Sequence, residues 1–186
     1  DMHNYLQWEP FGVCALILPW NSPLGTLIWK LAPCLAAGNT VVMKPSEQSS
    51  CSTLDLMDVL LEADLPPGVL NFVTGVPEQV GGRLVEHPET RFIAFTGSKE
   101  VGLMINASAA QTRPGQKWIK RVIVEMGGKD AIVVDETADL EAAAQGIVAS
   151  AFGYQGQKCS ACSRAIIVDE VYDTIAGKVV ESAEKL

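Results

Sequence analysis

Short apolar runs alternate with longer amphipathic stretches along most of the chain. Residues 13–18 lie between Gly12 and Pro19 and are apolar throughout, which is typical of a strand buried on both faces. On the next stretch Leu24, Leu27, Ile28, Leu31 and Leu35 fall on one helical stripe that ends at Gly38. The same pattern predicts further strands at about 40–43, 69–73, 91–95 and 121–124, and helices at about 52–63, 78–86 and 99–110. Ser52 and Asp55 have the spacing of a capping box.

The pattern restarts after Gly127 and Gly128, which we interpret as the junction between two domains, 1–126 and 127–186. A strand is predicted at 131–134, and a helix with Asp139 as its N-cap follows. Its apolar stripe runs over three turns to Phe152. Another strand at 165–168 and a last helix from about 171 complete the chain.

Strands that alternate with helices over short connections predict βαβ units. We therefore expect an α/β fold, with a Rossmann-like open, mostly parallel sheet that has helices on both faces. The first α/β units of a second domain follow it. Ligands of such sheets bind outside the carboxyl ends of the strands. The residues that follow the predicted strands are polar or glycine, namely Asn21, Lys44, Gly75, Gly97, Ser98 and Glu125.

Composition narrows the functional classes. The chain has 186 residues, 48% of them hydrophobic, which suffices for a sizeable core. A net charge of −8 and no basic run argue against nucleic-acid binding. The apolar run 24–37 is too short to cross a membrane and contains Lys30 and Pro33. Five cysteines and no secretory signal favour a cytoplasmic setting. Two histidines and a single Cys-x-x-Cys favour no metal.

The stretch 152–164 places Cys159 just after a predicted helix, among glycines and small polar residues. Lys158 precedes it, and a cationic neighbour favours the thiolate that acts as a nucleophile. On these residues alone three readings stay open: a catalytic nucleophile, a redox pair or half metal site with Cys162, and an inert structural cysteine.

Five motifs occur here in the order and approximate spacing of the aldehyde dehydrogenase superfamily. They are Pro19-Trp20-Asn21, Lys44-Pro45-Ser46-Glu47, Phe95-Thr96-Gly97-Ser98, Glu125-Met126-Gly127-Gly128-Lys129 and Gly156-Gln157-Lys158-Cys159. The chain resembles this family over essentially its whole length. The segments 115–121 and 157–164 are most similar to the 1-pyrroline-5-carboxylate dehydrogenase branch, which oxidises glutamate-γ-semialdehyde to glutamate in proline breakdown.

The resemblance implies a catalytic set. Cys159 would attack the aldehyde to form a thiohemiacetal. Asn21 and the backbone N–H of Cys159 would stabilise the oxyanion. Glu125 would activate the water that hydrolyses the thioester, and burial at its strand end would raise its pKa. Without the resemblance, Asn21 is interpreted as an ordinary turn residue and Glu125 as a solvated carboxylate at the end of a strand.

The resemblance also implies an NAD site, in a first domain that binds the cofactor. Gly97 and Ser98 would approach the phosphates at a helix N-terminus, although Thr96-Gly97-Ser98 also reads as a simple helix cap. Lys44 and Glu47 would bind the adenine ribose, and the carboxylate favours NAD over NADP. Trp20 is interpreted either as an aromatic residue of the core or as a side chain that lines the cofactor site. The remaining residues that the family assigns to the cofactor are Leu18, Gly81, Phe95 and Val101.

In the branch named above, a serine after the nucleophile helps to hold the substrate carboxylate, which would be Ser160 here; small-residue filling is the alternative. Cys162 is interpreted as structural. Family chains continue well beyond these residues at both ends and form homo-oligomers. We therefore expect the 186 residues to be a piece of a longer chain, with weak or no dehydrogenase activity alone, the start of the catalytic domain lying at 127–186.

Two other functional hypotheses remain on the sequence. One is a non-catalytic nucleotide-binding or assembly module of the same fold. The other is a thiol redox protein that uses Cys159 and Cys162. An aldehyde dehydrogenase for a different aldehyde is a further possibility within the favoured hypothesis.

Overall fold

The computed structural model describes residues 2–186, which divide into two compact units between Met126 and Gly127. In chain order the first unit contains β1 (Val13–Ile17), α1 (Pro23–Ala36), β2 (Thr40–Lys44), α2 (Ser50–Leu61), β3 (Leu70–Phe72), α3 (Gly82–Glu86), β4 (Thr90–Thr96), α4 (Lys99–Ala109) and β5 (Arg121–Glu125). The predicted assignment of cofactor binding to the first part and catalysis to the second stays a prediction.

The first unit is built on a five-stranded sheet with the order β3-β2-β1-β4-β5. Every neighbouring pair is parallel, so all five carboxyl ends point to one edge. From the central β1, the sheet continues through β2 to β3 on one side and through β4 to β5 on the other. The α/β fold with a mostly parallel sheet is confirmed.

Alternate residues of β1 and the segment just after it enter two separate cores, because successive side chains of a strand point to opposite faces. Cys14, Leu16 and Leu18 pack in a core with side chains of α1 and α2. Ala15 and Ile17 pack in another with side chains of α3 and α4. Both faces of the sheet are therefore covered by helices, as the fully apolar run predicted.

The start of α2 differs from the prediction. The helix begins at Ser50 and ends at Leu61, so Ser52 lies inside it and the predicted capping box is wrong. A short 3₁₀ turn, Glu47–Ser49, leads into the helix, and the Ser46 hydroxyl accepts the Gln48 backbone N–H at 3.4 Å. The cap therefore belongs to the turn after β2. Similarly, a π-helical turn at Pro77–Gly81 precedes the short α3.

The apolar stripe predicted on α1 is only partly buried. Leu27 and Leu31 are buried with Thr26 and Cys34, whereas Leu24 and Ile28 are exposed. β5, which is the last strand at one side of the sheet, shows alternating exposure, and Ile123 is 59% exposed. An apolar strand sequence does not reveal whether the strand is central or at an edge.

Lys120 anchors the chain just before β5. Its side chain is buried, and its ammonium group donates hydrogen bonds to the backbone carbonyls of Val85 and His87 at the end of α3. A cation at the carboxyl end of a helix meets the partial negative charge of the last carbonyls. The contact ties the loop before β5 to the helix beneath it.

The second unit contains β6 (Asp130–Val134), α5 (Leu140–Phe152), β7 (Cys162–Ile167) and α6 (Asp169–Ala183). β6 and β7 form a parallel pair. Its core is Val134, Ile147 and Ile175, from one strand and both helices. β7 starts three residues earlier than predicted, at Cys162.

The predicted N-cap of α5 is confirmed. The Asp139 carboxylate accepts the backbone N–H groups of Glu141 and Ala142 at 3.0 and 3.1 Å. These donors would otherwise have no partner within the helix. A carboxylate also interacts favourably with the positive end of the helix dipole.

We expect Asp139→Ala to lower the free energy of unfolding by about 1 kcal/mol, since it removes both capping hydrogen bonds. Urea unfolding monitored by circular dichroism would measure this. Asp173→Ala, an exposed change within α6, is the matched control and should have little effect. Equal losses in the two variants would contradict the assigned cap.

Candidate functional site

The carboxyl ends of four adjacent strands bring most of the predicted site residues of the first unit to one edge. Ile17, the last residue of β1, is in register with Lys44 on one side and Phe95 on the other. Thr96 is in register with Glu125. The strand order reverses between β1 and β4, and this is where such sheets bind ligands.

The segment after β1 crosses this edge. Leu18 is buried, and its backbone N–H donates to the carbonyl of Lys44 at 3.0 Å. Trp20 is 45% exposed, so it is not a core aromatic, and the cofactor-wall reading remains. Asn21 is half-buried and lies two residues before α1.

Lys44 has an unusual environment for a lysine, being only 3% exposed. Its ammonium group donates to the carbonyl of Pro45 at 3.0 Å. Burial lowers its pKa, and the carboxylates of Glu47 and Glu78 oppose that shift. Gly81 is buried and lies close to Lys44, because a Cβ on Gly81 would stand 3.9 Å from Lys44 Cδ. The structure thus brings Lys44, Glu47 and Gly81 together.

Gly97 and Ser98 form the turn between β4 and α4. The Ser98 hydroxyl accepts the Val101 backbone N–H at 3.3 Å, so this serine does cap the helix. A Cβ on Gly97 would stand only 2.5 Å from Cζ of the buried Phe95 ring. No larger residue fits this turn without displacing Phe95. The cap reading is confirmed, while phosphate binding by the same turn stays a prediction.

These residues suit a dinucleotide. The turn at Gly97 carries no side chain, which leaves its backbone open to close approach. It lies at the N-terminus of an 11-residue helix, whose partial positive charge favours phosphate. Trp20 and Val101 are exposed apolar side chains at the same edge. Glu47 is an exposed carboxylate on the turn after β2.

One contact at this edge, between Lys30 and Thr96, was not predicted from the sequence. The Lys30 ammonium group, on α1, donates a hydrogen bond to the Thr96 hydroxyl at the end of β4. Burial lowers the pKa of Lys30, and the nearby carboxylate of Glu125 opposes that shift. A lysine inside the otherwise apolar run of α1 was the available signal. The side chain of Glu125 itself is exposed, so its expected partial burial is wrong for this chain.

The second unit carries the cysteine segment between α5 and β7. Tyr154, Gln155 and Gly156 are three successive residues in the left-handed region, with φ of 57°, 52° and 68°. Cys159 and Ser160 are exposed, and Ala161 after them is buried. The exposure of Cys159 agrees with the prediction.

Cys162 lies at the start of β7 and is half-buried. Its thiol donates to the carbonyl of Arg164 at 3.3 Å. Both cysteines of the Cys-x-x-Cys sequence are free thiols. Because Asn21 and Glu125 belong to the first unit and Cys159 to the second, their joint action stays a prediction.

Among residues 2–186, no group of three or more His, Cys, Asp or Glu side chains is placed to hold a metal ion. In the same part of the chain, none of the helices combines the length and the hydropathy that a membrane span requires.

The sequence model described as "Aldehyde dehydrogenase family" matches residues 1–186. The chain belongs to the aldehyde dehydrogenase family. Within this family it is similar to 1-pyrroline-5-carboxylate dehydrogenase of Geobacillus thermodenitrificans, with 56% identity over 183 residues that cover 98% of this chain and 36% of that protein. The enzyme of the same name from Geobacillus kaustophilus is 55% identical over the same shares. This chain therefore spans about a third of the length of these relatives.

Solved structures agree. A 1-pyrroline-5-carboxylate dehydrogenase from Thermus with bound NAD superimposes with a TM-score of 0.92 at 50% identity, over 95% of this chain and 34% of that one. An aldehyde dehydrogenase from Bartonella henselae gives a TM-score of 0.88 at 38% identity, over 95% of this chain and 36% of that one. The predicted similarity to the 1-pyrroline-5-carboxylate dehydrogenase branch is confirmed.

Desolvation of Lys30, Lys44 and Lys120 changes their pKa values, which titration can measure. Their pKa values lie below the ordinary 10.5 in the folded chain. Between the lowered value and about 10.5, each lysine binds more protons in the unfolded chain than in the folded one. The free energy of unfolding from these groups therefore rises with pH through that window.

NMR titration of isotope-labelled lysine side chains should show these three midpoints below 10.5. Lys178 is the internal control, because its hydrogen bond with Glu141 raises its pKa. Midpoints for Lys30, Lys44 and Lys120 at or above that of Lys178 would contradict the desolvation assigned to these side chains.

Proposed function

We propose that a polypeptide carrying this sequence, at the length of its relatives, oxidises an aldehyde to a carboxylic acid with NAD. The favoured substrate is glutamate-γ-semialdehyde, the open form of 1-pyrroline-5-carboxylate. The observation that carries the proposal is the close similarity, at 50% identity and a TM-score of 0.92, to an NAD-bound 1-pyrroline-5-carboxylate dehydrogenase. The residues of the carboxyl edge supply its chemical support.

Cys159 begins the reaction in this proposal. Its thiolate adds to the aldehyde carbon and forms a thiohemiacetal, which turns the aldehyde hydrogen into a leaving hydride. The exposed position of Cys159 leaves the thiol accessible to substrate. The amide of Asn21 and the backbone N–H of Cys159 donate to the oxygen as it becomes negative.

NAD, when bound, supplies the acceptor for that hydride. In the proposal Gly97 and the cap of α4 lie against its phosphates, and Lys44 and Glu47 hold the adenine ribose. Trp20 and Val101 would form its exposed apolar walls, and the buried Leu18, Gly81 and Phe95 would complete the site. The Glu47 carboxylate favours a ribose with a free 2′-hydroxyl and repels a 2′-phosphate, which supports NAD over NADP.

Loss of hydride leaves a thioester on Cys159. Glu125 then takes a proton from water, the hydroxide adds to the thioester carbon, and the acid leaves as the thiolate is restored. The exposed carboxylate of Glu125 is accessible to water, and Lys30 with its Thr96 partner supplies positive charge nearby. We place Lys30 beside the general base as an electrostatic neighbour.

Partners and setting form part of the same proposal. The aldehyde substrate is a small molecule with a carboxylate, and Ser160 is the candidate to bind that carboxylate. We further propose that the polypeptide is cytoplasmic and forms a homo-oligomer. Analytical ultracentrifugation of a polypeptide of the relatives' length would test the oligomeric state.

The catalytic assignment predicts two different defects in a polypeptide of that length. Cys159→Ala should abolish NADH formation, since no covalent adduct forms. Glu125→Gln should still release about one NADH per active site in a rapid burst, followed by steady turnover slowed by about 10²-fold or more, because only thioester hydrolysis needs the base. Stopped-flow absorbance of NADH would separate the two phases.

Cys162→Ala is the matched control and should keep near-normal turnover. A loss as complete as that of Cys159→Ala would instead support the redox-pair hypothesis. If Glu125→Gln slowed the burst as strongly as the steady state, Glu125 would not be the deacylation base.

The substrate assignment predicts a selective effect of Ser160→Ala. One hydrogen bond to a charged carboxylate is worth about 1.5–3 kcal/mol, so kcat/KM for glutamate-γ-semialdehyde should fall by about 10-fold or more. For propanal, which has no carboxylate, kcat/KM should stay unchanged. Ser163→Ala, at another exposed serine nearby, is the control. Equal losses on both substrates would remove Ser160 from carboxylate binding.

A further inference from the structure

The segment that carries Cys159 leaves α5 through backbone conformations that are unfavourable for residues with a side chain. Tyr154 and Gln155 adopt the left-handed conformation, which places Cβ too close to the following carbonyl in residues other than glycine. Such conformations persist where surrounding contacts over-determine them. The contacts that hold this segment in place therefore bear on where the Cys159 thiol points.

Gly128 makes the first of these contacts. A Cβ built on Gly128 would fall well inside 3.0 Å of the backbone oxygen of Cys159, a separation that real Cβ atoms essentially never show. The same Cβ would stand 3.3 Å from the Cys159 carbonyl carbon and 3.1 Å from Asp130 Oδ1. The obstruction is backbone, which cannot rotate away as a flexible side chain would.

Gly128 therefore does more than mark the junction between the two predicted domains. The carbonyl that fills its missing side-chain space belongs to the same residue as the thiol. If it moved, the Cα–Cβ direction of Cys159 would move with it. Gly127 differs, because a Cβ there would meet nothing within 4 Å.

Arg164 makes the second contact, from β7. Its Nε and Nη2 donate to the carbonyl of Lys129 at 3.2 and 2.6 Å. Both donors of one guanidinium converge on a single carbonyl, and such charge-assisted bonds are strong and directional. They join the residue after Gly128 to the chain beyond Cys159.

The pairing of β6 with β7 is a third restraint on the cysteine segment, beside the contacts of Gly128 and Arg164. Asp130 is in register with Cys162 and Ala131 with Arg164, so Ser163 has no partner and forms a bulge. The Cys162 N–H donates to the Ser150 hydroxyl at 3.1 Å, which ties the same point to α5. The chain just after Cys159 and Ser160 is therefore held by contacts with α5 and β6 and by the bulge.

We propose that Gly128 and Arg164 are positioning residues for Cys159, Gly128 by leaving the space that the Cys159 carbonyl occupies and Arg164 by holding Lys129 against the start of β7. The proposal rests on the proposed function, in which Cys159 is the nucleophile. Neither residue touches substrate in it. Both act by fixing the direction of the thiol.

The decisive comparison is Gly128→Ala with Gly127→Ala, the same chemical change one residue apart. In a polypeptide of the relatives' length, Gly128→Ala should lower the rate constant of the NADH burst by about 10²-fold, the effect expected of a displacement of about 1 Å. Gly127→Ala should stay within about threefold of the parent. Equal burst rates in the two variants would overturn the proposal.

Alkylation gives a readout that needs no turnover. The rate of Cys159 modification by iodoacetamide, mapped by mass spectrometry and followed against pH, reports the access and ionisation of the thiol. Gly128→Ala should shift this profile and Gly127→Ala should not. If the parent polypeptide showed no dehydrogenase activity, the proposed function would fail. The alkylation profiles would still show whether Gly128 positions the Cys159 thiol.

Arg164 supplies a second, gentler pair of variants in case Gly128→Ala does not fold. Arg164→Met removes both donating nitrogens and should slow the burst by about 10-fold, whereas Arg164→Lys keeps one cationic nitrogen that can donate and should recover part of the loss. Identical rates for Arg164→Met, Arg164→Lys and the parent would refute the role of Arg164.

Discussion

Burial of β1 on both faces is the constraint on which the first unit depends. A strand with apolar side chains above and below must be covered by helices on both sides, and its backbone must be paired with a strand at each edge. The parallel register with β2 and β4 satisfies the backbone. The two cores satisfy the side chains. Because the neighbouring strands run in parallel, Lys44, Phe95 and Glu125 end at the same edge as β1, and the candidate cofactor site follows from the packing.

Much of this arrangement was predictable because it depends on local pattern. The apolar run of β1, the caps by Ser98 and Asp139, and the order of the strands and helices all follow from residues close together in the chain. The exposure of Ile123 was not predictable in this way. Whether an apolar strand is central or at an edge depends on which strands pair with it, and the sequence of β5 does not contain that information.

The contacts around the proposed catalytic residues could not be predicted from local sequence pattern either. Lys30 meets Thr96 across 66 positions, and the space beside Gly128 is filled by a carbonyl 31 positions away in the chain. The resemblance to a family supplied the identities of Cys159, Glu125 and Asn21. The resemblance assigned no role to Lys30 or Gly128, whose contacts depend on distances between residues far apart in the chain. In this chain, Gly128 has a steric reason to be glycine that the sequence alone does not reveal.

The parallel pair β6–β7 has a consequence for handling the chain. Val133 and Ile166, one on each strand, are 71% and 54% exposed. Adjacent strands with exposed apolar side chains and unpaired outer backbone groups are templates for pairing with another molecule. We expect concentrated solutions of these 186 residues to self-associate through this surface. Charged substitutions at Val133 and Ile166 would then improve solubility and leave the cysteine segment intact.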